Sequence, residues 1–199
     1  MRTDNFQQRT LKKWKIQMFI ISAVFALPAA VSIAQDQSPP PLDVVPAVDL
    51  NRYAGVWYEI ARLPNRFQKQ CSGDVTATYT VLDDGRIKVV NRCRNEKGEI
   101  EEAEGEAKRS GDDAPAAKLK VRFAPAILSF LPFVWGDYWI IVLAPDYSYA
   151  VVGDPARKYL WILSRTSVLD ESTYKNILDQ VTAKGYDLTS LAKTDQSGK

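Results

Sequence analysis

The chain is predicted to be all-β: eight antiparallel strands running up and down around a closed barrel, with one C-terminal α-helix packed outside. Three observations predict this. Short segments with a two-residue hydrophobic period recur between positions 55 and 164, each ended by a turn signal. The period lengthens once, to helical spacing, over Tyr174, Ile177, Leu178 and Val181. After an apolar leader and a proline-rich stretch, about 150 residues remain, enough for one domain around one core.

Residues 1–34 read as a secretory signal peptide. Arg2, Arg9, Lys12, Lys13 and Lys15 form a basic leader, 16–30 is almost wholly apolar, and Ser32-Ile33-Ala34 supplies small residues at the cleavage spacing. An uncleaved stretch of this length could instead serve as a membrane anchor. Residues 35–46, with Pro39, Pro40, Pro41 and Pro46, read as an extended linker with little to bury. The folded domain is expected over 47–193, with a disordered tail at 194–199. The whole chain has 26 basic and 24 acidic side chains, but five of the basic ones and one acid, Asp4, lie in the leader. The remaining 21 against 23 give no basic excess to attract nucleic acid.

The first strand is 55–63. Gly55 frees the backbone ahead of the strand formers Trp57, Tyr58 and Ile60. Over 71–82, Val75, Ala77, Tyr79 and Val81 alternate with threonines, and Asp83-Asp84-Gly85 turns the chain. Ile87 and Val89 alternate with basic residues over 86–94. Over 100–109 the small residues Ala103, Gly105 and Ala107 oppose Glu102, Glu104, Glu106 and Lys108, which suits a barrel that leaves space inside. Leu119, Val121 and Phe123 begin the next strand. Residues 137–144 are apolar on both faces, so their outer side needs a cover. Strands over 149–153 and 159–164 follow. Asp170 is the expected N-cap of the covering helix and Gly185 its stop, with a last short strand expected over 187–191. Charged outer faces argue against the alternative of an outer-membrane barrel, which needs an apolar exterior.

Three motifs carry a family resemblance. They are Gly55-Val56-Trp57 with its continuation Tyr-Glu-Ile-Ala-Arg-Leu-Pro-Asn-Arg-Phe, then Ala144-Pro145-Asp146-Tyr147, then Trp161-Ile162-Leu163-Ser164-Arg165. Together they resemble the signatures of the lipocalin family, and most of all its bacterial outer-membrane and apolipoprotein D-like group. The resemblance implies that Gly55, Trp57, Asp146, Tyr147 and Arg165 form a structural motif in which Arg165 packs on Trp57. A guanidinium on an indole face contributes roughly 0.5–2 kcal/mol. The bacterial relatives often carry a lipid-modified Cys after the leader. Here Gln35 follows Ala34 and no Cys precedes Cys71, so the mature chain is expected in the periplasm or secreted, at most peripherally associated with the outer membrane.

Cys71 and Cys93 are the only cysteines, and in an oxidising compartment a pair reads as a disulfide. The barrel order brings the start of one strand and the end of the next to the same end. The alternative is one reactive thiol, as in a thiol-dependent lipocalin enzyme. There is no His, which removes Ser-His-Asp and Cys-His catalysis and the commonest metal ligand. The carboxylates Glu101, Glu102, Glu104 and Glu106 fall mostly on a solvated face, and no cofactor or metal motif is present.

The interior remains. Tyr79, Val89, Val121, Tyr138 and Trp161 are the candidates to line a cavity. On pattern alone they fill a solid core or surround a ligand equally well. The resemblance tips the reading towards a pocket, with Trp161 facing it. The expected function is binding and transport or storage of a fatty acid or lysophospholipid in the cell envelope, without covalent chemistry. Two alternatives stand beside it: an enzyme acting on a lipid or isoprenoid in the same barrel, and a filled barrel with a structural or inhibitory role. The apolar connection 126–135, with Phe130, Leu131 and Phe133, is expected at the open end. It would dock the mouth on a lipid surface or a second copy, or else fold over the mouth as a lid.

Overall fold

The computed structural model describes residues 40–124, 126–128 and 131–198. The leader and the first part of the linker lie outside these residues. The strands are β1 Gly55–Arg62, β2 Cys71–Val81, β3 Ile87–Asn95, β4 Ile100–Arg109, β5 Lys118–Arg122, β6 Gly136–Leu143, β7 Tyr149–Gly153, β8 Leu160–Ser164 and a two-residue β9, Ala192–Lys193. Each of β1 to β8 pairs antiparallel with its sequence neighbours, and β1 pairs with both β2 and β8, which closes the barrel. A single helical turn, α1 Leu50–Tyr53, precedes β1. Asp49 caps it by accepting from the Asn51 and Arg52 N–H groups. One turn is too short to show a period, so sequence patterning passes over it.

Two apolar layers result. Inside the barrel, Trp57, Tyr79, Val89, Leu119, Ile140 and Val152 pack together. Outside, α2 Glu171–Ala183 lays Tyr174, Ile177 and Val181 on Ile141, Val151 and Ile162. This is the cover that the two apolar faces of β6 require, and each such aliphatic side chain contributes about 1.5–3 kcal/mol when buried. Asp170 caps α2 through the Thr173 N–H, and Gly185 takes φ +84° just past its end. The opposite outer face is charged. Lys88–Glu104, Arg92–Glu102 and Arg86–Glu106 pair across β3 and β4 at 2.6–2.8 Å. The glutamate cluster is therefore a solvated, paired surface in which each bridge stabilises by about 0–1 kcal/mol.

Both ends of the domain reach beyond the expected boundaries. The last strand lies at 192–193, not 187–191, where Asp187 instead makes a turn with the Thr189 N–H. The tail expected to be disordered is hydrogen-bonded from Thr194 to Gly198. The cause is a gap in the barrel wall. β1 and β2 pair only from Gly55↔Tyr79 to Tyr58↔Thr76, then diverge and leave backbone groups without strand partners. The tail supplies them. Thr194 N–H donates to Ile60 O at 2.9 Å, Asp74 N–H donates to Asp195 O at 2.7 Å, and Gln196 Nε2 donates to both Glu59 O and Val75 O at 2.8 Å. At the other end, the stretch expected to bury little buries Leu42, at 5 % exposure, and Val45 N–H donates to Ile140 O. Neither segment has a hydrophobic period, because each is held by backbone groups and single side chains.

Candidate ligand site in the barrel

The closed end is built around Arg165. Its guanidinium lies 3.8 Å from the Trp57 ring centroid. Nη1 donates to Val56 O at 2.9 Å, and Nη2 donates to the carbonyls of Arg52, Tyr53 and Ala54 at 2.7–3.1 Å. Nε reaches Tyr147 O at 3.4 Å. Gly55 sits at φ +95°, and a Cβ there would stand 3.3 Å from Nη1, so this position favours glycine twice over. Asp146 accepts from the Ser148 N–H, while the Tyr147 hydroxyl accepts from the Asp49 N–H beneath the Arg52 guanidinium. All three motifs thus meet at one end.

Above this end three phenols form the floor of the interior. Tyr53 and Tyr138 hydroxyls are 2.8 Å apart, and Tyr138 donates to Tyr79 at 2.9 Å. Burial raises all three pKa values. Tyr79 is pushed up to about 12, its Tyr138 hydrogen bond opposing the shift and the Glu59 charge adding to it. They are neutral donors, not bases.

Nearer the mouth the inward side chains are less fully buried. Val121 and Trp161 are only partly buried, as is Tyr138, whose hydroxyl reaches the floor, and Ala103, on the inward row of β4, is exposed. Val89 and Tyr79 are buried below them. The structure therefore gathers all five expected lining residues into one interior. The Trp161 indole donates to Gln68 Oε1 at 2.8 Å, and Gln68 Nε2 donates to Glu59 at 2.7 Å. Glu59 also accepts from Arg62 at 2.5 Å and from Thr194 at 2.6 Å. Sequence reading passed over Glu59, Gln68 and Tyr53. Glu59 alone had a signal, since it shares the inward parity of Trp57. Beside this network, Arg62, Asn65, Arg66, Gln68 and Lys69 line a cleft of about 390 Å³.

Cys71 and Cys93 are disulfide-bonded, with Cα atoms 5.5 Å apart, and tie the start of β2 to the end of β3. A bridge closing such a loop stabilises by about 3 kcal/mol. Along the β4–β5 pairing, Phe123 lies against Gly105, where a Cβ would come within 2.6 Å of the ring. In the connection that follows, Ile127 and Phe133 are each 78 % exposed, while Leu131 is partly buried. Phe130 lies outside the described residues. Trp135 anchors the base of the connection beneath Lys108 and Arg122, 4.4 and 5.2 Å from its ring centroid.

A family model described as a lipocalin-like domain matches residues 48–196. The chain belongs to the lipocalin family, whose members are known for binding small hydrophobic molecules and are generally binding or transport proteins. It is 44% identical over 159 residues to temperature-induced lipocalin-1 of Arabidopsis thaliana, covering 78% of this chain and 83% of that one. It is 40% identical over 185 residues to outer membrane lipoprotein Blc of Citrobacter freundii, covering 91% and 99%. Among solved structures, insecticyanin from the tobacco hornworm Manduca sexta superposes with a TM-score of 0.60 at 23% identity, covering 78% and 85%, which shows the shared fold. The disulfide suggests an extracytoplasmic location.

Proposed function

We propose that the mouth half of the barrel takes up the acyl chain of a fatty acid or lysophospholipid and carries or stores it in the cell envelope. The observation that supports this most is the partial exposure of the inward Val121 and Trp161, above the floor that Tyr138 helps to form. An acyl chain laid among them gains about 0.8 kcal/mol per buried methylene. A charged headgroup stays at the rim, where Arg62, Arg66 and Lys69 line the cleft. The neutral phenols and the fully engaged Glu59 favour a carrier over an enzyme, since none is poised as a base.

The exposed Ile127 and Phe133 give this mouth an apolar rim that docks on a lipid surface or a second copy, so that a chain passes without crossing water. Lipids extracted from natively expressed protein and identified by mass spectrometry test the ligand. Stoichiometric acyl lipid is expected, and its absence would count against the reading. Vesicle flotation with light scattering tests the rim. Wild type is expected to float or dimerise and Phe133→Asp to do neither; wild type that stays monomeric and unbound would leave the connection as a lid only.

A further inference from the structure

The three phenols on the barrel floor hold three hydroxyl hydrogens and make two hydrogen bonds with one another, so one hydrogen is unused. With Tyr138 donating to Tyr79, Tyr53 must donate to Tyr138, and the unused hydrogen belongs to Tyr79. Its neighbour on the wall is Asn91. In the β2–β3 register Tyr79 pairs with Val89 and Ala77 with Asn91, so Tyr79 and Asn91 are diagonal neighbours on the inward face. Asn91 Oδ1 is buried and has no hydrogen-bond partner among the described residues. Tyr79 thus has a hydrogen to give, and at the diagonal inward position of the next strand Asn91 Oδ1 is buried with none to accept. Buried polar groups are rarely left unpaired without a cause, and a ligand atom is one such cause.

We propose that the inward wall at Tyr79 and Asn91 recognises a neutral hydroxyl group, so that a long-chain alcohol or hydroxylated lipid enters with its oxygen towards these two side chains. The oxygen accepts from Tyr79 and the hydrogen goes to Asn91 Oδ1. An ionised carboxylate cannot take this place, because it has no hydrogen for Asn91 and would meet the field of buried Glu59. Its charge keeps it at the rim. The inference rests on the barrel being the ligand site and adds an orientation and a ligand class to it.

Competition for a bound fluorescent apolar probe tests this on the full chain, with dodecanol, dodecyl methyl ether and dodecanoate as competitors. The ether can accept from Tyr79 but has no hydrogen for Asn91. Wild type should prefer the alcohol over the ether by roughly tenfold, the worth of one net hydrogen bond at a buried site. Asn91→Leu, of similar volume, should bring that ratio to about one. Tyr79→Phe, isosteric and so expected to fold, should weaken alcohol and ether together and keep their ratio. A wild-type ratio near one, or a ratio that survives Asn91→Leu, overturns the inference. If dodecanoate competes while the ratio is one, only the hydroxyl site falls. If none of the three competes, the barrel-ligand reading falls with it.

Discussion

Arg165 shows how much one side chain can hold. It stacks on Trp57 and spends its donors on carbonyls from α1, the start of β1 and the turn after β6. Only a planar fork with several N–H groups fits that set, so Lys is not a substitute. Arg165→Ala is expected to lower unfolding free energy by about 2–3 kcal/mol, and Arg165→Lys to recover little of it. Urea denaturation checks both, and an unshifted midpoint would contradict the assignment. Arg165 was readable because the motifs carry it. The Tyr53–Tyr138–Tyr79 chain was not, because its members come from α1, β6 and β2 and no local pattern relates them.

Among the elements, α2 and the C-terminal tail contrast in legibility. The helix announces itself by spacing, cap and stop, and it forms where those signals place it. The tail after β9 has none of these signals, since what holds it is the divergence of β1 from β2, a property of two other strands. The cap gives α2 a pH response. Hydrogen bonds from Ser172 and then Thr173 hold the Asp170 carboxyl at about 2, below its ordinary 3.8. A lowered folded pKa means its stabilisation is full above the ordinary value and lost as pH falls towards about 2. Asp170→Ala should therefore melt below wild type at neutral pH, and the difference should shrink as pH falls through that window. Thermal melts across the range check it, and a constant difference would contradict the cap.

For the whole molecule, eight strands, one helix and the disulfide were legible because alternation, turn chemistry and paired cysteines are local or countable signals. Which inward residues face a space, and which are packed, was not legible, because inward parity is the same for both. Burial grades them: Val89 and Tyr79 are buried, while Val121, Tyr138 and Trp161 are partly buried against the same cluster. In the proposed function, acyl chains bury themselves among the latter. Titration of Trp fluorescence with saturated fatty acids of increasing length tests it most directly. Each added methylene should tighten binding by up to about fourfold until the space is filled, and Trp161→Ala should weaken the response most. An affinity that does not change with chain length would contradict the claim.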